Sequence, residues 1–303
     1  MARTVFNRSS STRLLVYLTG LWLATVLLCP DAEAVDPHTL LSQYGHTAWR
    51  TQDGFGVNPT AITQTMDGYI WISTSDGLER FDGVKFTPWT VPDNQSLPSK
   101  IFTDLLGARD GSLWIGTSGG LSHLKDGRLI NYTTTKKSPG IAFILEDHTG
   151  AIWVTRYQIH DGMGPLCRVA GTELKCYGKK DGIPLRYGLG LAEDSAGNLW
   201  FGGNVLCRWS PDSSSVYFQK ELKQTAGYGV VGVATETAGS VWASLDGTGP
   251  EMGVRHYSGK KWVSYVVPGF NGAEIRSETL YVDSHKSLWV GTESKGLYRI
   301  HDG

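Results

Sequence analysis

The sequence predicts an all-β protein, a β-propeller of four-stranded antiparallel blades with six repeats visible. Three observations predict it. Tryptophans recur at Trp71, Trp114, Trp153, Trp200, Trp242 and Trp289, at intervals of 43, 39, 47, 42 and 47 residues. Periods of about 20–50 residues mark solenoids, propellers or arrays. Each tryptophan is the centre of an apolar triplet, from Ile70-Trp71-Ile72 to Leu288-Trp289-Val290. Short apolar runs bounded by turn signals read as buried strands, and no stretch near them has the length and period of a helix. The turn signals are the third observation: Gly68, Gly111, Gly150, Gly197 and Gly239 precede five triplets, and Lys286 takes that place in the sixth.

The chain opens with Arg3, Arg8 and Arg13, then a mostly apolar run of 16 residues from Leu14 to Cys29, then Ala32-Glu33-Ala34. Residues 1–34 read as a secretory signal peptide cut after Ala34. The run is shorter than the roughly 20 residues of a membrane-spanning helix, and an uncleaved anchor is the alternative. A lipid anchor on Cys29 is disfavoured by the bulky Leu28. Export makes disulfides permissible. Cys167 and Cys176 flank a hairpin turn at Ala170-Gly171, and their odd separation puts them on one face of the two strands. That spacing admits a bridge. The alternative is three small buried thiols, with Cys207 lacking a partner in either case.

Residues 35–43 form a linker, and 44–303 the propeller. Tyr44–Arg50 is expected to be an isolated strand, similar to the last strand of later repeats. The second repeat shows four strands most clearly, at Ile101–Leu106, Leu113–Thr117, Leu121–Lys125 and Arg128–Thr133. Asp126-Gly127 is a hairpin signal, both residues tolerating positive φ. In every repeat an aliphatic residue nine positions before the tryptophan is expected in the core: Ile62, Leu105, Ile144, Leu191, Val233 and Leu280. Glu146-Asp147, Glu193-Asp194 and Asp283 read as turn-forming carboxylates. The third strands carry a basic residue in all six repeats: Arg80, His123, Arg168, Arg208, His256 and Arg299. Each is expected to pack its stem on the neighbouring blade and keep its charge at the edge.

The connections from second to third strand and those between blades share one end of a propeller. Two of them are long, Arg156–Pro165 and Asp246–Gly253. Convergent loops on a rigid scaffold are where binding concentrates. Arg156, Tyr157, His160, Arg186, Tyr187, Tyr228 and Arg276 fall on this end and are the candidate ligand contacts. Aromatic faces stack on sugar rings and guanidinium groups hold carboxylates, so a small molecule or oligosaccharide is the expected ligand. The formal charge of −1 gives no basis for nucleic-acid binding. No cofactor, phosphate-loop, nucleophile or metal-ligand pattern is present among the motifs, and no catalytic residue is assigned. The enzyme candidate is His160-Asp161 facing Glu251 across the loop end.

Leu-Trp-Ile-Gly-Thr, followed by Gly-Leu, a basic residue and Asp-Gly, resembles the two-component regulator propeller repeat. The resemblance covers about Tyr44 to Gly303; the repeats at Trp71, Trp114 and Trp289 match most closely, and those at Trp153 and Trp242 depart through their long loops. It implies an exported, non-catalytic sensor region of a membrane receptor with a histidine kinase or diguanylate cyclase as output. It also implies glycan-type ligands and further blades or domains as partners. The last repeat stops on the turn before its fourth strand. The array is therefore either a fragment of a seven-bladed or double propeller, or a six-bladed ring closed by Tyr44–Thr51. The expected function is periplasmic ligand sensing, with a homodimer among the expected assemblies. The alternatives are a secreted propeller lyase acting on a polysaccharide or lactone, and a protein-interaction propeller.

Overall fold

A computed structural model describes residues 39, 41–132, 140–157, 162–183, 185–211, 216–217, 229–236 and 239–301. The signal-peptide segment, His160 and Tyr228 lie outside the described residues. The chain divides into a short unit, 1–45, and a large one, 46–303. In the first, Leu41–Gln43 makes a single 3-10 turn.

The large unit is a six-bladed β-propeller. Blade one is β1 (Ala61–Gln64), β2 (Ile70–Thr74), β3 (Gly77–Phe81) and β4 (Phe86–Trp89). Blade two is β5 (Phe102–Gly107), β6 (Leu113–Thr117), β7 (Gly120–Lys125) and β8 (Arg128–Tyr132). Blade three is β9 (Ile141–Glu146), β10 (Ile152–Arg156), β11 (Leu166–Ala170) and β12 (Glu173–Tyr177). Blade four is β13 (Leu189–Glu193), β14 (Leu199–Gly202), β15 (Cys207–Trp209) and β16 (Val216–Tyr217). Blade five is β17 (Val230–Thr235), β18 (Val241–Leu245), β19 (Gly253–Tyr257) and β20 (Trp262–Ser264). A small hairpin follows, β21 (Val266–Val267) and β22 (Phe270–Asn271). Blade six has three strands, β23 (Ser277–Val282), β24 (Leu288–Thr292) and β25 (Leu297–Ile300). Within each blade the strands pair antiparallel in sequence order.

The repeat is held by one recurring unit. Every repeat tryptophan lies directly across from the basic residue of the third strand, as in Trp71↔Arg80, Trp153↔Arg168 and Trp200↔Arg208. Four guanidinium groups sit over their own blade's indole, at 5.9, 5.8, 5.7 and 5.4 Å for Arg80, Arg168, Arg208 and Arg299. The two histidines instead stack on theirs, His123 on Trp114 at 4.2 Å and His256 on Trp242 at 4.0 Å. The expectation that these side chains pack on the neighbouring blade is thus corrected. Cross-strand register places them over the ring of their own blade, where the aromatic quadrupole attracts a cation.

The other half of the unit stands six residues before the tryptophan. Asp147, Asp194 and Asp283 each accept the indole N–H at 2.8 Å. The second oxygen of each caps the turn between the first two strands; that of Asp194 takes the amides of Ala196 and Asn198, both at 3.0 Å. Thr65 serves Trp71 in the same way, at 3.1 Å. These donated bonds outweigh burial and hold the three carboxyls below the usual carboxylate value of 3.8. The preceding glutamates do something else. Glu146 accepts the amide of Arg109 and Glu193 that of His148, so each ties its blade to the one before.

First strands line up side by side, β1 on β5, β5 on β9, β9 on β13, β13 on β17 and β17 on β23. The residue nine before the tryptophan enters the preceding blade's pocket, as Leu105 packs with Trp71 and Leu78 and Leu280 with Trp242 and Val254. Ile62 is an exception and a correction: it is 68% exposed, because no described strand stands before β1 as β1 stands before β5. At the other end Leu297 is 56% exposed, whereas its counterparts Leu121, Leu166, Leu206 and Val254 are fully buried. Nor is Tyr44–Arg50 a strand. It runs as irregular backbone into a 3-10 turn at Thr51–Asp53. Trp49 meets Phe81 edge-on at 4.9 Å and Phe86 at 6.2 Å, so this residue packs on blade one, and among the described residues blade six has three strands.

Two outcomes test this account. Asp194→Ala leaves the buried Trp200 N–H and the turn amides without their acceptor, and should cost about 2–3 kcal/mol in denaturant unfolding, with Asp194→Asn costing less. Lys286 holds φ +64°, where the equivalent Gly111 holds +80°. Lys286→Gly should therefore raise stability by up to ~1 kcal/mol, since a side chain in the left-handed region costs roughly 1–2 kcal/mol and the added chain entropy of glycine offsets only part.

Candidate functional site

The five described residues among the expected ligand contacts do not form one site. Arg156 is fully buried at the end of β10. Its Nη1 donates to the Gly164 carbonyl at 3.2 Å and lies 3.3 and 3.6 Å from the sulfurs of Cys176 and Cys167. This corrects its place on the binding face: the guanidinium is turned inward to serve the long loop it begins. The two cysteines form a disulfide between β11 and β12, where they are direct cross-strand neighbours with Cα atoms 4.0 Å apart. Cys207 is a buried free thiol pushed up to about 12 by desolvation, which leaves it unreactive.

Of the other four, Tyr157, Tyr187 and Arg276 pack or pair across blade seams, and Arg186 does not. Tyr157 donates its amide to the Gly140 carbonyl at 3.1 Å. Its ring fills the space beside Gly140, where a Cβ would come within 2.3 Å of it, and its hydroxyl lies toward Ser118 of blade two. Arg186 is exposed, and its amide donates to Asn204 Oδ1 at 3.3 Å. Tyr187 is half-buried with its hydroxyl against Gly229. Arg276 spans the seam between blades five and six, with Asp246 at 2.8 Å and Glu293 at 3.1 Å. Both carboxylates favour its charged form. Glu251, the acidic partner of the enzyme reading, is engaged by the largely buried Arg255 at 3.3 Å. Among the described residues no cluster of three His, Cys, Asp or Glu side chains could hold a metal ion.

The cavity at this end lies elsewhere, in the seam of blades five and six. An open cleft of about 740 Å³ is bordered by Thr248, Gly249 and Pro250 of one long loop, Ser264 at the end of β20, Asn271 and Glu274 of the hairpin region, and Lys295 of blade six. Ligand pockets run from about 300 to 1,000 Å³. Its walls are braced by their own hydrogen bonds. Asn271 caps a 3-10 turn, Gly272–Glu274, by accepting the Ala273 amide at 3.2 Å, and donates to Glu274 at 2.8 Å. Gly249 donates to the Ala273 carbonyl at 2.7 Å, and Ser264 to the Pro250 carbonyl at 2.8 Å. Lys295 reaches the Glu274 carbonyl at 3.3 Å. The result is a fixed concave surface carrying hydroxyl, amide, carboxylate and ammonium groups. Sequence reading placed the long loop Asp246–Gly253 at this end but named none of these residues as a ligand contact. The available signal was the 47-residue interval before Trp289, which holds the extra hairpin.

A titratable group on the inner strands was equally invisible. Asp104 Oδ2 accepts the amide of Ile144 from the next blade at 2.7 Å, and desolvation there pushes its carboxyl up to about 7.

Residues 96–119 match the two component regulator propeller family. No curated protein sequence matches the chain. Among solved structures, it is similar to the extracellular domain of a putative hybrid two component system from B. thetaiotaomicron. The TM-score is 0.61 and the identity 18%, over 80% of this chain and 33% of that one. It is also similar to virginiamycin B lyase from Staphylococcus aureus, with TM-score 0.58 and 18% identity over 81% of this chain and 84% of the enzyme. At these identities the likeness is one of fold. Among the described residues no helix is long and apolar enough to cross a membrane.

The disulfide closes a ten-residue loop from Cys167 to Cys176, so loop-closure entropy assigns it about 2–3 kcal/mol. Reduction by a dithiol should lower the midpoint of thermal unfolding by about 4–10 °C. A Cys167→Ala/Cys176→Ala double variant should show the same midpoint with and without reductant.

Proposed function

We propose that this chain is the extracytoplasmic input region of a two-component receptor. On this reading it binds a small polar ligand, of oligosaccharide type, in the cleft between blades five and six. The observation that carries the proposal is the cleft itself. The chain's one extra hairpin among the described residues, together with a long second-to-third strand loop, builds a braced open cleft of about 740 Å³, with hydroxyl, amide, carboxylate and ammonium groups on its walls, at the end where propeller loops converge. The regulator repeat at 96–119 supports the signalling half of the proposal, as does the fold likeness to a two-component extracellular domain. The Cys167–Cys176 disulfide suits an exported chain.

Both walls of the cleft come from the blades that Arg276 joins through Asp246 and Glu293. A ligand held by Thr248 on one side and Lys295 on the other binds the packed seam better than a loosened one. It therefore shifts the seam toward its packed state by as much as that difference in affinity. This carries occupancy into blade packing without any catalytic step.

The test is thermal unfolding and calorimetry against neutral and acidic cello-, xylo- and galacturono-oligosaccharides of two to four units. At a hundredfold excess over Kd a true ligand adds about 2.7 kcal/mol, a rise of about 5–10 °C. Lys295→Ala, an exposed change, should weaken binding about tenfold while leaving the unliganded midpoint unchanged. Stabilisation without consumption of the sugar supports the sensor. Turnover of the sugar overturns it in favour of a lyase, and no stabilisation by any member of the panel removes the ligand assignment.

A further inference from the structure

The repeat's own chemistry points to a second site at the opposite end of the propeller. In blades three, four and six the indole N–H is taken by an aspartate carboxylate six residues earlier. In blade one Thr65 takes it. In blade two that position is Ala108, which has no acceptor. A cleft of about 430 Å³ opens at that place, in the seam of blades two and three, with Ala108, Trp114 and His123 in its wall. Across from them stand Glu146 and His148, with Arg109 at the rim. Blade one has an equivalent but smaller cleft, about 260 Å³, bordered by Thr65, Trp71 and Arg80.

A second nitrogen beside Trp114 is also unserved. His123 Nε2 is buried and meets no hydrogen-bond partner. Its counterpart in blade five, His256 Nε2, has Ser240 Oγ at 2.9 Å. In blade two the equivalent Ser112 hydroxyl is turned away to Asp110 at 2.5 Å. The carboxylates around the cleft are already occupied. Asp110 holds Lys125 at 2.7 Å and Glu146 holds Arg109 at 3.1 Å. The open valences are therefore the Trp114 N–H, a donor, and His123 Nε2, a donor in one tautomer, on a wall that in blades three, four and six receives a carboxylate.

We propose that this cleft binds a small carboxylic acid, of the size of a sugar acid, whose carboxylate replaces the aspartate that blade two lacks. One carboxylate oxygen accepts the Trp114 Nε1–H. The His123 ring, stacked on the same indole at 4.2 Å, offers a second donor in its Nε2–H tautomer. Charge assistance makes such bonds roughly twice as strong as neutral ones, which favours an acid over an alcohol of the same shape. The remaining volume, bordered by the apolar Ile152 and by Thr149, receives the rest of the molecule. This site is independent of the cleft between blades five and six, since it shares no residue with it.

The experiment is an NMR titration of the whole propeller with nitrogen-15 in the tryptophan side chains, at constant ionic strength. The probes are acetate, D-glucuronate and, as the uncharged control, D-glucose. One indole resonance, the one missing in Trp114→Phe, should shift saturably with both acids and stay still with glucose. Glucuronate should bind at least threefold more tightly than acetate. Ala108→Asp puts the repeat's own carboxylate in place; it should move that resonance in the absence of any probe and weaken both acids at least tenfold. If Trp114→Phe does not fold, the Ala108→Asp spectrum makes the assignment. The proposal is overturned by a Trp114 resonance that ignores both acids, that answers glucose equally, or that titrates unchanged in Ala108→Asp.

Discussion

The array depends on one interaction set: an indole clasped between a basic side chain across the strand and an acceptor at the turn. The indole is amphipathic, and the repeat uses each part of it. Its faces carry the apolar burial that holds blades together, at roughly 1.5–3 kcal/mol for a large buried side chain. One face also takes the guanidinium of Arg80, Arg168, Arg208 or Arg299. Its N–H would be an unsatisfied buried donor without Asp147, Asp194 or Asp283. Because the same aspartate caps the turn into the tryptophan strand, turn geometry and core packing are fixed by a single side chain.

Blade one departs in one half, with Thr65 in place of the aspartate and Arg80 kept; blades two and five depart in both. Blades two and five replace arginine by His123 and His256 and replace aspartate by Ala108 and Glu236. Desolvation against the indole lowers the affinity of both imidazoles for a proton, so near neutral pH they stack as uncharged rings. In blade two the uncharged ring needs no balancing carboxylate beside it, so Ala108 in the aspartate position leaves no cation unpaired. The stack at 4.0–4.2 Å replaces the cation–π contact; in blade five Ser240 serves His256 Nε2, and in blade two His123 Nε2 is left without a partner.

The fold was legible because a propeller repeats its burial pattern along the chain. The interval between tryptophans, the turn glycines and the register of the basic residues all survive in one dimension. The odd spacing of Cys167 and Cys176 was legible for the same reason, since side-chain direction alternates along a strand. Site residues were less so. Arg156 looks like a surface charge, yet a carbonyl and two sulfurs draw it fully inside. Arg276 and Tyr157 do lie on the expected end, but they spend their polar atoms on the neighbouring blade. Ile62 has the right period and the wrong surroundings, because its burial depends on the strand next to β1 and not on its own sequence. A pattern states which residues are equivalent; it does not state which equivalents have a partner.

That distinction explains where chemistry can sit on such an array. A residue that obeys the repeat is consumed by it, since its donors and acceptors have assigned partners in the same or the adjacent blade. Free valence arises only where the repeat is exceeded or left incomplete. Between blades five and six it is exceeded: an added hairpin and a long loop bring Ser264, Asn271, Glu274 and Lys295 around a cavity that the repeat has no use for. In blade two it is left incomplete: one missing carboxylate opens space and leaves the Trp114 N–H and His123 Nε2 beside it. The two departures lie at opposite ends because strand direction alternates, so insertions between second and third strands and turns between first and second cannot share a face. Two ligands could thus occupy one array without competing, each reading a different exception to the same rule.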